Sequence, residues 1–186
     1  DVEPVQPDGG LQSLSGHGVR QHARAGRGLR QRAGLLLKTN LLRAQGATGM
    51  TPAVADFIQA RTLAAVRDPS KTIRHTAGTV ITTIVQKVGV TSCGPALDKL
   101  AELLGDANPD VVEGSFNALN KICEDGVTTL KQFWEAPMHE YTQPFVAWCT
   151  ERLLPRVFQY ASPSAQTYAR QNAIECLNHF ALNYVL

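Results

Sequence analysis

The sequence predicts an all-α chain in which antiparallel helix pairs stack into a solenoid, and three observations carry that prediction. From Leu29 onward, apolar residues recur at steps of three and four. Proline turns at Asp68-Pro69, Asn108-Pro109 and Ser162-Pro163 cut the periodic stretches into pairs, because the residue before proline is pushed out of helical geometry. The second member of each pair can be laid over the others, as a repeat architecture requires. With 186 residues, 44% apolar and 18% charged, the chain is long enough and apolar enough for such a core, and is not a disordered tail.

Taken in order, residues 1–28 hold Pro4, Pro7 and glycines at 9, 10, 16, 18, 26 and 28 with no sustained period, and read as irregular, disordered or a reading-frame artefact. Leu29, Ala33, Leu36, Leu37 and Leu41 then line one face of a helix over 29–43. A first pair over 53–88 joins the stripe Val54, Phe57, Ile58, Leu63, Ala65, Val66 to the stripe Ile73, Ala77, Val80, Ile81, Ile84, Val85, Val88. A second pair over 95–124 opens at Gly94-Pro95, buries Leu97, Leu100, Ala101, Leu103 and Leu104, and continues through Val112, Ser115, Phe116, Leu119, Ile122 and Cys123. Asp110 and Glu113 have the spacing of an acidic capping box for its second helix. An insertion over 126–143 precedes a third pair over 144–186, with Phe145, Cys149, Leu153, Leu154, Val157 and Phe158 in one helix and Ala169, Ala173, Cys176, Leu177, Phe180 and Ala181 in the other.

Laid over one another, the strings from Leu29, Ile73 and Ala169 bring Arg30, Arg74 and Arg170 into one column and Ala33, Ala77 and Ala173 into another. The string from Val111 keeps the apolar columns but has Val112 in the arginine column. A helix-pair period of about 40 residues with a small and a basic residue at fixed places in the second helix marks HEAT repeats, stacked into a right-handed superhelical array. Such an array leaves an open edge at Leu29 and another over 179–186, so the isolated chain is predicted to self-associate.

Several function classes are excluded by what the chain lacks. No apolar run approaches the roughly 18 residues of a membrane span. The phosphate loop, the dinucleotide-binding glycine motif, the H-E-x-x-H zinc motif and the G-x-S-x-G elbow are all missing, so no catalytic residue is assigned. His75 and His179 lack triad partners, and adjacent Glu124 and Asp125 point in different directions on a helix. Cys93, Cys123, Cys149 and Cys176 lie far apart without a C-x-x-C pair, which argues for buried reduced thiols and against a metal or a disulfide framework. No cofactor is expected. Asp1 in place of an initiating methionine reads as a piece of a longer protein. The net charge of +2 divides unevenly: up to Thr48 there are seven basic and three acidic residues, leaving eleven basic and thirteen acidic for the repeats. A basic arm for nucleic acid would interleave aromatics for stacking, and that head has none, so no nucleic-acid partner is assigned.

RAGLLLKTN at 32–40, VADFIQARTL at 54–63, IRHTAGTVITTI at 73–84 and EGSFNALNKICED at 113–125 resemble consecutive N-terminal repeats of the transportin family, nuclear import receptors of the importin-β (karyopherin-β) superfamily. The similarity extends over about 30–186, through LLPRVFQYASPS and NAIECLNHF, and leaves 1–28 unmatched. It implies that the second helices form a concave wall binding the small GTPase Ran in its GTP form. It also implies that cargo proteins engage parts of the receptor outside these residues, that nuclear pore proteins are a further partner class, and that the protein shuttles between cytoplasm and nucleus. A generic HEAT scaffold for protein assembly is the alternative.

Periodicity supplies the candidate partner-binding residues. On the helix over 110–124, Glu113, Asn117, Asn120, Lys121 and Glu124 fall on the side away from the apolar stripe. The equivalent stripes are His75, Thr79, Thr82 and Gln86 on the helix from 71, and Gln171, Glu175 and Asn178 on the last helix. A mixed acidic and amide surface suits a basic protein partner through charge complementarity. Arg74 and Arg170, by contrast, are expected to brace neighbouring repeats. Trp134 and Trp148 flank the insertion, and Phe133-Trp134 is expected to tuck it onto the array, an exposed aromatic anchor for a partner being the alternative.

Overall fold

The computed structural model describes residues 10–43, 51–89, 91–132, 147–162, 165 and 167–184. Among them the chain is an array of helices with no strand. Helix α1 spans Gly10–Arg43. Helix α2, Pro52–Ala65, starts where the Thr51 hydroxyl accepts the Val54 amide at 3.4 Å and proline occupies the first turn, where its missing N–H costs nothing. Helix α3, Lys71–Val88, ends at Gly89, whose φ of +82° is open to glycine and strained for other residues. A 3-10 turn, Thr91–Cys93, leads into α4, Gly94–Leu103. Helix α5, Pro109–Gln132, is capped by Asn108, whose Oδ1 accepts the Asp110 amide at 3.0 Å. A π-helical turn at Cys149–Leu153 feeds α6, Leu154–Ala161, which stops as Ser162 turns extended ahead of Pro163. Helix α7 covers Thr167–Tyr184.

The pairs pack as the repeat predicts. Helices α1, α3, α5 and α7 lie side by side in sequence, while α2, α4 and α6 each pack against the helix that follows, and α2 also touches α4. The core runs along this seam through Val66, Ile81, Ile84, Leu97, Leu100, Leu104, Phe116, Leu119, Ile122, Leu153 and Val157, all essentially without exposed surface. The Phe116 ring meets Tyr160 edge-on at 5.4 Å, and the Tyr160 hydroxyl donates to the Leu104 carbonyl, tying α6 to the preceding turn.

Acidic turn residues repeat as well. Asp68 Oδ1 accepts the Ser70 amide at 2.8 Å and Asp106 Oδ1 accepts the Asn108 amide at 2.9 Å, the same two-residue turn one repeat apart. Each such turn receives an arginine from the repeat before it: Arg30 of α1 pairs with Asp68, and Arg67 pairs with Asp106 at 3.1 Å. Arg74 confirms the expected bracing role. It is only 2% exposed, donates to the carbonyls of Asp68 and Pro69 at 3.0 and 3.1 Å, and reaches into the next repeat to Asp110 at 2.9 Å and to Glu113.

Several expectations are corrected. Residues 10–28, read as irregular from their glycines, belong to α1. Glycine weakens a helix by about 1 kcal/mol relative to alanine without forbidding it, and no proline after Pro7 interrupts the segment. Of the apolar residues predicted to line the inner face of α1, Leu41 is buried and Leu37 half-buried, whereas Leu29 is 70% and Leu36 64% exposed and Ala33 is exposed too. Contact with α3 runs along the neighbouring stripe, where Gly34 lies close to the Thr76 side chain. The buried face of α2 is Ala55, Gln59 and Thr62, continued by Val66 just after the helix, leaving Val54 and Phe57 outside, and Phe158 of α6 is likewise exposed. Asp110 and Glu113 do not form a capping box, since Asn108 caps the helix and both carboxylates turn to Arg74. Helix α5 continues to Gln132, into the stretch assigned to the insertion, because no proline lies between Glu124 and Gln132 and the single glycine there, Gly126, weakens a helix without ending it. Phe133, Trp134 and the rest of the insertion lie outside the described residues. Trp148 is half-buried against the core, its Nε1 donating to Asp98 at 3.0 Å.

Candidate partner-binding wall

The helices that stand side by side, α3, α5 and α7, carry every residue the sequence singled out for partner binding, so their order in the stack decides which of those residues meet. On α3, His75, Thr79 and Gln86 are half-buried, and Thr82 is buried. The hydroxyls of Thr79 and Thr82 turn back onto their own helix, donating to the carbonyls of His75 at 3.0 Å and Gly78 at 2.9 Å. On α5, Asn117 and Lys121 are half-buried and Glu124 is exposed, but Glu113 and Asn120 are buried between helices. On α7, Gln171, Glu175 and Asn178 are exposed.

Two of the buried residues are structural supports rather than open contacts. Glu113 holds two cations of α3, Lys71 Nζ at 2.6 Å on one oxygen and Arg74 on the other. Burial pushes its carboxyl up, but the hydrogen bonds from Lys71 and Arg74 outweigh that and hold it below its ordinary 4.5. Asn120 joins α5 to α7, its Nδ2 donating to Glu175 Oε2 at 3.2 Å and lying 3.5 Å from Asn172 Oδ1. Thus the structure brings Asn120 and Glu175 together, and it withdraws Glu113, Asn120 and Thr82 from solvent.

Lys71, Tyr168 and Asn172 belong to the same wall and were not singled out from the sequence. The Lys71 ammonium lies 5.9 Å from the centre of the Tyr168 ring, linking the first turn of α3 to the first turn of α7. Burial, followed by the negative charge of Glu113, pushes the Tyr168 hydroxyl up to about 12 against opposing effects of Asn172 and Arg74. Lys71 could have been found four residues before His75, on the same helix face, and Tyr168 and Asn172 bear the same relation to each other. Burial, followed by the positive charge of Lys71, holds the His75 imidazole below its ordinary 6.5, with Glu113 opposing and Arg74 and Lys121 adding to the effect.

The exposed part of the wall is therefore divided in charge. Lys71 at the start of α3 and Lys121 on α5 are basic, while Glu124, Gln171, Glu175 and Asn178 give the far end of α5 and the exposed face of α7 an acidic and amide character. Among the described residues no group of His, Cys, Asp and Glu is arranged to hold a metal ion, and no helix is long and apolar enough to cross a membrane.

Comparison with known proteins gives two kinds of match. The Cnd1 family model, described as non-SMC mitotic condensation complex subunit 1, matches residues 36–181. Importin subunit beta-2 of Schizosaccharomyces pombe is 31% identical over 154 residues, which are 83% of this chain and 16% of that protein. Transportin-1 of Homo sapiens is 31% identical over 155 residues, again 83% of this chain and 16% of the relative. Transportin-1 of Oryza sativa subsp. japonica is 32% identical over 155 residues, 81% of this chain and 16% of the relative. The chain thus spans about a sixth of the length of each.

Proposed function

The chain belongs to the family described by the Cnd1 model and to the transportin family of nuclear import receptors in the importin-β superfamily, and from that premise we propose that it is a non-enzymatic Ran-binding portion of such a receptor. The observation that carries the proposal is the uninterrupted row of second helices, which presents polar residues from α3, α5 and α7 on one wall. Contact is made by His75, Thr79, Gln86, Asn117, Lys121, Glu124, Gln171, Glu175 and Asn178, while Thr82, Glu113 and Asn120 support them from beneath. Binding selects the GTP form, cargo proteins and nuclear pore proteins engage the receptor through other parts, and the whole receptor shuttles between cytoplasm and nucleus. The acidic side of the wall, at Glu124 and Glu175, faces basic residues of the GTPase and governs association rate and specificity more than affinity.

A pull-down of Ran loaded with GTP or GDP tests the proposal. Retention of the GTP form alone, weakened in a Glu124→Lys, Glu175→Lys variant that keeps its helical circular dichroism, is the expected result. Equal retention of both forms, or of neither, would overturn it and leave the generic assembly scaffold as the better reading.

A further inference from the structure

Three cysteines far apart in sequence converge where the second and third helix pairs meet. Cys123 comes from the middle of α5, Cys149 from the π-helical turn before α6 and Cys176 from α7, and none of them has any exposed surface. The sulfurs of Cys123 and Cys176 are 3.9 Å apart across the α5–α7 seam. A disulfide bond needs about 2.05 Å between sulfurs, so the two must approach by about 2 Å to form one. Neither the import-receptor reading nor the polar wall makes any use of this cluster.

We infer that Cys123 and Cys176 form an oxidation-sensitive staple that fixes the spacing of α5 and α7. In the packed chain the pair is inert. The hydrogen bond with Cys149, followed by burial, pushes the Cys123 thiol well above the usual thiol range against an opposing effect of Cys176. The hydrogen bond with Cys123 and burial push the Cys176 thiol up as well. Since the thiolate is the reactive form, a peroxide gains access only when the seam between α5 and α7 opens and a thiol returns to its ordinary ionisation.

The chemistry then balances in two steps. The exposed thiolate attacks hydrogen peroxide, the O–O bond breaks, and a sulfenic acid forms with release of water. The second thiolate attacks that sulfur, the S–O bond breaks, the S–S bond forms, and a second water leaves. Overall, two thiols lose two electrons and two protons, and one peroxide is reduced to two waters. The cluster is suited to this outcome because reclosing the seam returns the resolving thiol to contact with the oxidised one. A closed staple ties Asn120 and Glu175, which bridge the same two helices, into a seam that no longer opens.

The test uses the full chain with hydrogen peroxide as oxidant, in buffer alone and at urea concentrations below the unfolding transition, followed by non-reducing peptide mapping by mass spectrometry. The expected result is a Cys123–Cys176 linked peptide as the main product, lacking two hydrogens relative to the reduced peptides, formed several-fold faster in urea. Cys93→Ser leaves its yield unchanged, and reduction with dithiothreitol removes the link. Cys176→Ser, checked for retained helicity, abolishes it. A main product linking Cys149 or Cys93, a link between chains, or sulfinic acid without any link would overturn the inference. So would formation at the same rate with and without urea.

Discussion

Replacing Arg74 by alanine removes a side chain that ties three parts of the array together. Its guanidinium is 2% exposed and donates to two turn carbonyls, to Asp110 and to Glu113. Removing one partner of a buried ion pair costs about 3–5 kcal/mol, because the other charge is left in a low dielectric. Glu113 retains Lys71 at 2.6 Å, and Asp110 is exposed enough to rehydrate, which places the electrostatic loss near the lower limit. The carbonyls of Asp68 and Pro69 each lose a donor worth about 1 kcal/mol, partly replaced by water because the turn is only half-buried. The expected destabilisation is about 3–4 kcal/mol. Urea unfolding followed by far-ultraviolet circular dichroism reads it as a midpoint lowered by about 1.5–2 M for a slope of about 2 kcal/mol/M. Arg74→Lys keeps the charge but not the planar fork, and should fall between wild type and Arg74→Ala. Arg74→Met combined with Glu113→Gln removes both charges and should recover part of the loss. A loss below about 1 kcal/mol for Arg74→Ala, or a double variant much worse than the single, would refute the reasoning.

The remaining predictions concern helix contacts and pH. A Cβ on Gly114 would lie 2.7 Å from the Val66 carbonyl oxygen and 3.1 Å from Arg74 Cδ, so α5 and the end of α2 must separate to admit it. Gly114→Ala should therefore lower the urea midpoint by the equivalent of about 1–2 kcal/mol, overpacking outweighing the gain of about 1 kcal/mol in helix propensity, and a stabilised variant would refute the close approach. Gly26 sits in α1 with open space around its Cα, so Gly26→Ala should raise helicity and stability by up to about 1 kcal/mol. Acid should destabilise in two stages. His75 has a folded pKa below its ordinary 6.5, so the unfolded chain binds the extra proton first, and stability falls as pH drops through about 6.5. The folded pKa of Glu113 lies below 4.5, so its contribution is present above that value and is lost as pH falls through the folded pKa. Stability measured against pH should lose the first stage in His75→Asn and the second in Glu113→Gln, and an unchanged profile in either variant would count against that group.

Much of the architecture was legible along the chain because helical periodicity and proline turns are local signals. The arginine column formed by Arg30, Arg74 and Arg170 was visible from repeat alignment alone, and its bracing role at Arg74 followed from recurrence at one repeat position. The faces of α1 and α2 were read less well. An outer helix is packed by its own partner and by the next repeat, and an inner helix by neighbours on two sides, so the most apolar stripe of an isolated helix need not be the one that is covered. For that reason Leu29, Leu36, Val54 and Phe57 are exposed while Gln59 and Thr62 are buried.

The candidate wall shows the same division between local and distant information. Periodicity correctly set Gln171, Glu175, Asn178 and Glu124 on an exposed side, since that depends on helix geometry within a few turns. It could not anticipate that Glu113 would turn under Arg74 and Lys71, that Asn120 would bridge to Glu175, or that Cys123 and Cys176 would meet across a seam. By itself the sequence determined the helix-pair repeat, the turn chemistry and the likeness to import receptors. Only the tertiary structure decided which polar residues face solvent and which hold the repeats together, because each choice rests on pairs about 40 to 55 residues apart that touch once the array is stacked.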